Sequence, residues 1–337
     1  MSIESSARPI FAAHQTFHPR FGWLKKGLDA VATNKSVFSA EDAPVILGVG
    51  KNMVEAIKFW SQAFRIIAQD EITSSSRSTN YCPTHFGIAM LSDEGFDPYL
   101  EDATSLWIMH WMLCSPISFA PVWWAFINEF NPTEFSDEIL FEFIKSRIEA
   151  SLWKTPSDSS LNKDVDALLR MYTRRAAKGR QTVDDLLDSP FRDLGLISES
   201  ATKSGFYRIN NGAKPTLTSA AVAFSAMDYM ATFDPDARTI SFTRLAFEIN
   251  SPGRVFHIPI EVLSDYLNDS FLSECGIRVA SPGGVQQLVL DEAPAQVALR
   301  ILNEYFNRKP KETLKFVVAG PRARTSADAP ILLEVLT

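Results

Sequence analysis

Cysteine is scarce: Cys82, Cys114 and Cys275 are the only three in 337 residues, and they stand far apart. That spacing excludes a CxxC zinc site and gives no disulfide framework, so a reducing, cytoplasmic setting is expected. Histidine is scarce too, with five, and none forms the His-Glu-x-x-His of zinc proteases. His14 and His18 share i,i+4 spacing, but Pro19 follows at once and disfavours a helix there. No excess of basic charge exists either: the formal net charge is −7, so any nucleic-acid surface must be local. The opening MSIESSARPIF lacks the apolar core of a secretory signal. The longest apolar stretch, 106–130, is interrupted by His110, Pro116, Pro121, Asn128 and Glu129. Its halves are too short to span a bilayer, so two buried helices around a proline corner are expected, and no membrane contact. The remaining composition, 46% hydrophobic and 22% charged, is that of an ordinary globular protein with room for several domains.

What is present begins with LGVGKN at 47–52. A phosphate-binding P-loop would need Gly at 45 and Ser or Thr at 52; the chain has Val45 and Asn52. A dinucleotide fingerprint fails at Met53, so no nucleotide site is readable. The same residues fit a helix-turn-helix. Residues 41–47 would form its first helix, with Gly48 and Gly50 as a positive-φ turn. In the helix that follows, Met53, Ile57, Trp60, Phe64 and Ile67 recur at spacings of 4, 3, 4 and 3. Lys51, Glu55, Lys58, Gln62 and Arg65 repeat that spacing on the opposite face. Lys51 and Asn52 would sit at the helix N-terminus, where free amides attract phosphate and recognition helices touch DNA. The other reading is a solvated face of mixed charge.

Further along, Trp23–Val31 reads as a short amphipathic helix with Trp23 in the core, and 72–81 as a polar tip. Residues 83–149 form an acidic helical block, eleven acids against Lys145 and Arg147, net −9. TPSDSSLNKD (155–164) reads as a linker, followed by a short helix at 165–172 and a basic run with Arg174, Arg175, Lys178 and Arg180. Gly195 caps SPFRDLGLI, and Asn211–Gly212 is a hairpin signal. Region 170–214 is net +4, through Arg170, Arg192, Lys203, Arg208 and Lys214 as well as the run. Helices at 243–249 and 260–271, strands around Ser-Pro-Gly-Gly (281–284) and a last helix at 295–307 repeat the helix-then-hairpin order. The fold class is therefore mainly α with small β wings, winged-helix or helix-turn-helix modules around a central helical block. The expected divisions are 1–82 (helix-turn-helix), 83–154 (acidic block), 155–240 (basic winged module) and 241–337 (second winged module).

Three segments carry a resemblance. They are His14, Thr16, Phe17, Arg20, Gly22, Trp23 and Leu24; then Leu47, Gly48, Gly50, Lys51, Asn52, Met53 and Val54; then GFDPYLED (95–102) with Leu106, Trp107, His110 and Trp111. The chain resembles a bacterial family of domains of unknown function found beside DNA phosphorothioation genes, whose best-known member is a nickase subunit of a phosphorothioate defence system. The resemblance implies a cytoplasmic DNA-acting protein that makes or guides a single-strand cut, so that partners replace a non-bridging phosphate oxygen with sulfur. The implied partners are a cysteine desulfurase, an ATPase and an enzyme related to sulfonucleotide reductases.

A nickase of that kind needs a base, a nucleophile or acids holding a divalent metal, Mg²⁺ or Mn²⁺. The candidates are His14 and the acids Asp97, Glu101 and Asp102, with Asp93 and Glu94 nearby. Asp97 before Pro98 and Asp102 before Ala103 also suit helix caps. No PD-(D/E)xK, HNH or GIY-YIG pattern is readable. His14, Arg20 and Lys25 could form a phosphate-binding cluster, or His14 and Arg20 could lock the N-terminal segment onto the first helix. The residues expected on DNA are Arg20, Lys25, Lys26, Lys51, Asn52, Lys58, Gln62, Arg65, Arg174, Arg175, Arg180 and Arg208. Three functions stay open: a nicking subunit, a winged-helix adaptor without chemistry, and a protein-binding scaffold.

Overall fold

The computed structural model describes residues 2–74, 79–173 and 189–307. The chain starts with α1 (Ile3–Ser6), α2 (Trp23–Thr33), α3 (Ala43–Leu47) and α4 (Lys51–Ala63), then the hairpin β1 (Ile67–Gln69) and β2 (Tyr81–Pro83), then α5 (His85–Leu91). Four helices follow: α6 (Ala103–Cys114), α7 (Pro121–Glu129), α8 (Asp137–Glu149) and α9 (Asp158–Tyr172). A 3₁₀ turn at Pro190–Leu194 leads into the hairpin β3 (Ile197–Glu199) and β4 (Tyr207–Ile209), then α10 (Ser219–Phe233). The last stretch runs β5 (Thr239–Ser241), α11 (Phe242–Phe247), α12 (Pro252–Val255), α13 (Ile260–Leu267), α14 (Ser270–Glu274), β6 (Ile277–Ala280), β7 (Gln287–Leu290) and α15 (Pro294–Phe306). The protein is mainly helical, with small antiparallel sheets, as the sequence suggests.

The core forms around α6. This helix is apolar on every side, and every residue from Thr104 to Cys114 is buried, as such a helix must be. It stops at Ser115, which is extended before Pro116, and α7 restarts with Pro121 in its first turn. The broken apolar stretch is thus two buried helices at a proline corner. No helix among the described residues is long and apolar enough to cross a membrane. Helix α10 is buried from Ala220 to Met230 and packs beside α6.

A buried tryptophan loses stability unless its N–H finds an acceptor, and four of the buried ones find an oxygen. Trp111 Nε1 donates to Asp228 Oδ2 (2.8 Å), Trp107 Nε1 to Thr216 Oγ1 (3.2 Å), Trp124 Nε1 to Asn250 Oδ1 (2.6 Å) and Trp60 Nε1 to the Phe17 carbonyl (3.0 Å). These bonds tie segments far apart in sequence to the helical centre.

Five local expectations need correction. The linker at 155–164 is mostly helix: Ser157 Oγ accepts the Ser160 amide, so the Ser/Asp run is a cap and first turn of α9. Helix α4 ends at Ala63, and Ile67 belongs to β1, because the chain reverses at Arg65 with φ +62°. Gly48 has the expected positive φ (61°), but Gly50 is an extended N-cap at φ −68°. Asn211–Gly212 is not the hairpin turn: the β3–β4 connection is 200–206, and Gly212, at φ +109°, instead donates its amide to the His257 carbonyl (3.0 Å). The expected helix at 260–271 is likewise two, α13 and α14, because the Asp269 carboxylate caps the second by accepting the Phe271 amide.

The glycines generate a test. A Cβ at Gly87 would sit 2.2 Å from the Ile66 carbonyl oxygen, whereas one at Gly50 meets nothing within 4 Å. Gly87→Ala is expected to lower unfolding free energy by at least ~2 kcal/mol in urea titration, and Gly50→Ala to change it by less than ~0.5 kcal/mol.

Candidate nucleic-acid interface

The turn Gly48–Gly50 aims α4 outward, leaving Lys51 and Asn52 exposed at its start. Gly50 carries no side chain to cap the helix, and the first amides of a helix have no intrahelical acceptor. That is a phosphate-binding arrangement of charge plus amides. Below it, Lys58 is paired with Glu55, and Gln62 Nε2 donates to the Lys58 carbonyl (3.3 Å). The lower face is therefore largely self-neutralised, and the upper turn carries the positive potential.

The other cations expected on DNA divide. Lys26 is exposed, and its Nζ donates to the Leu47 carbonyl at 2.8 Å, tying α2 to the end of α3. Lys25 is mostly covered between Asp29 (2.7 Å) and Asp93 (2.8 Å). Arg20 is buried, with its guanidinium over the rings of Phe17 (5.2 Å) and Trp23 (5.1 Å), which places it on the first helix as a lock. Arg65 is buried as well: Nε donates to the Met112 carbonyl (2.9 Å) and Nη2 to that of Ser115 (2.5 Å). Burial draws the Arg65 guanidinium down to about 9, partly offset by Asp228. Arg208 is exposed on β4, 3.8 Å from Glu134. Arg174, Arg175 and Arg180 lie outside the described residues.

His14 does not stand among cations. It is fully buried, stacked on Trp60 (5.8 Å between centroids), with Nε2 2.6 Å from Asp164 Oδ1. Trp23 is also buried, as expected of a core aromatic. Asp97 is buried, and its two oxygens accept the amides of Glu101 (3.0 Å) and Asp102 (2.9 Å). Asp102 caps α6 by accepting the Thr104 amide (2.7 Å), and Tyr305 Oη donates to it at 3.3 Å. The helix begins at Ala103, so Asp97 and Glu101 share no helical face; Glu101 is simply exposed. Asp97 and Asp102 thus act here as acceptors for amides and a hydroxyl, and no group of three or more His, Cys, Asp or Glu among the described residues could hold a metal ion.

Sequence reasoning missed Asp164, hidden in the supposed linker, and a buried polar seam beside α6. There His110 Nδ1 meets Tyr172 Oη (2.8 Å), and its Nε2 lies 3.0 Å from the Val255 carbonyl. Lys214 Nζ donates to the Gly212 (2.7 Å) and His257 (3.2 Å) carbonyls. Burial lowers His110 to about 4, His257 to about 3 and Lys214 to about 8, which keeps the seam uncharged where it can be. No local pattern marks the partners of His110, or the bond from Lys214 to His257, because these contacts join segments 43 or more residues apart.

Comparison with known proteins follows the same lines. The profile of a family described as a protein of unknown function, DUF4007, matches residues 11–306, and the chain belongs to that family. A magnesium ion-bound SspB crystal structure is similar at 34% identity and a TM-score of 0.84, covering 91% of each chain. A second SspB crystal structure matches at 34% identity and 0.82, covering 90% of each. No curated protein matches the chain.

Lys51→Ala and Asn52→Ala leave the core untouched and are expected to weaken duplex binding by about 3- to 10-fold each, read by fluorescence anisotropy. Lys51→Ala should also lower the log–log salt slope by ~0.9. Unchanged affinity in both variants, with the fold intact by circular dichroism, would remove α4 from the interface.

Proposed function

We propose that this protein is the DNA-binding subunit of a DNA phosphorothioate modification and defence system, acting in the cytoplasm, and that it nicks one strand so that sulfur can be inserted. The carrying observation is the similarity to SspB over 91% of both chains at 34% identity. The exposed Lys51 and Asn52 on an uncapped helix start supply a phosphate contact of the kind this role needs. Helices α3 and α4 with the Gly48 turn are read as the helix-turn-helix. Residues 219–290 run helix, strand, helices, strand, strand, with sheet order β5-β7-β6, and are read as a winged helix whose wing is 281–286. The central block from α5 to α8 is the acidic scaffold, turned away from DNA. Sulfur delivery and energy would come from a cysteine desulfurase, an ATPase and a sulfonucleotide-reductase-like enzyme.

The cut would be hydrolysis of one phosphodiester, with Mg²⁺ or Mn²⁺ dependence as part of the reading. Asp97 and Asp102 already accept backbone amides and His14 is buried against Asp164, so none of the three stands free at the surface for that chemistry. That arrangement favours a second reading, an adaptor that guides DNA to a partner which does the cutting.

Supercoiled plasmid incubated with the protein and Mg²⁺, Mn²⁺ or EDTA separates them. Open-circle product that requires metal is the expected result for a nickase. Salt-dependent binding without product assigns the adaptor role, and neither binding nor product contradicts both readings.

A further inference from the structure

Residues 12–16 hold three non-glycine residues at positive φ: Ala12 (53°), Gln15 (52°) and Thr16 (75°). Side-chain-bearing residues adopt this conformation only where the surroundings over-determine it, and such strain gathers at functional sites. Here the surroundings are two helices. From α9, Asp164 accepts the Ala12 amide through both oxygens (3.0 and 3.1 Å) and holds His14 Nε2. Six residues on, Arg170 Nη2 donates to the Thr16 carbonyl (2.5 Å) while pairing with Asp166 (2.9 Å). From α4, Trp60 closes the loop at the Phe17 carbonyl. Inside it, the Gln15 amide bonds the Ala12 carbonyl and the Phe17 amide that of His14.

His14 and Asp164 are both buried, so the lock is inside the protein and the strain is spent on the outside. What the lock leaves exposed is Gln15. On α9, next to Asp164, Asn162 and Lys163 are exposed as well. A carboxamide on a rigid tip both donates and accepts, which suits a base edge or a phosphate oxygen. The loop is anchored on α4, the helix whose first turn presents Lys51 and Asn52.

We infer that the Ala12–Thr16 loop is a second DNA-contacting element, with Gln15 as the contact and the buried His14–Asp164 pair as positioning residues that hold it in its strained form. The inference rests on the DNA-binding reading above. It moves His14 from chemistry to positioning.

Duplex binding is measured by anisotropy across a salt series for the wild type, Gln15→Ala, Asp164→Asn, the double variant and Lys51→Ala. Gln15 is exposed, so its alanine variant should fold and melt as the wild type does. It should bind roughly 10-fold more weakly at an unchanged salt slope, since a neutral contact releases no counterion. Asp164→Asn should also weaken binding, and its effect should vanish in the Gln15→Ala background, the non-additivity of two residues acting through one contact. A general loss of stability would weaken both backgrounds equally. If the wild type binds and Lys51→Ala weakens it while Gln15→Ala does not, the loop inference is overturned and the DNA-binding reading stands. If only binding to another protein is weakened by Gln15→Ala, the loop is a protein contact and the inference is overturned too. If the wild type itself does not bind duplex, the DNA-binding reading fails and the loop inference falls with it.

Discussion

A helix with no polar face has to be surrounded, and α6 sets the rest of the structure by that requirement. Its hydrogen-bond partners come from segments 62 to 145 residues further along the chain: Tyr172 at the end of α9, Thr216 before α10, Asp228 within α10 and the Val255 carbonyl of α12. Each meets a nitrogen of Trp107, His110 or Trp111, so the polar atoms of a buried helix select which segments may lie against it. Leaving any of these groups unpaired would cost on the order of 1–3 kcal/mol, which makes the assembly specific as well as stable.

The same economy decides which charges are available for function. Arg20 and Arg65 read as surface cations in the sequence, and both are taken up by the interior, one by aromatic rings and the other by carbonyls at the end of α6. Asp97 and Asp102 read as metal ligands, and both are consumed by amides. Of the residues expected on DNA that the structure describes, the exposed ones are Lys51 and Asn52 in the first turn of α4, Lys26 and Arg208. For a chain of net charge −7, binding would be local and dependent on geometry more than on overall charge.

Much of this was legible in the sequence, and what was not has a physical reason. Periodicity located α4, α13 and α15, prolines located the α6–α7 corner, and Gly48 and Gly195 marked left-handed turns. These are local signals, written within a few residues. The linker reading at 155–164 failed because Ser and Asp favour both loops and helix caps, and tertiary packing decides between them. The extension of the α4 stripe to Ile67 failed because a strand residue after a reversal can keep helical spacing by coincidence. Asn211–Gly212 failed as a hairpin signal because the glycine's positive φ serves a turn after β4, where its amide bonds the His257 carbonyl. The role of Asp164 was out of reach altogether: its partners His14 and Ala12 lie about 150 residues away, and no local pattern connects them.

The central claim is that DNA is held by the start of α4 and by the loop that Trp60 of α4 and Asp164 of α9 lock in place. Hydrogen–deuterium exchange of the full protein, with and without duplex DNA, tests it most directly. First-turn helix amides lack intrahelical acceptors and exchange readily until a ligand covers them. The account predicts that duplex slows exchange in peptides spanning 12–17 and 50–54 and leaves the acidic block at 83–149 unchanged. Protection confined to other segments, with 12–17 and 50–54 exchanging as in the free protein, would contradict it.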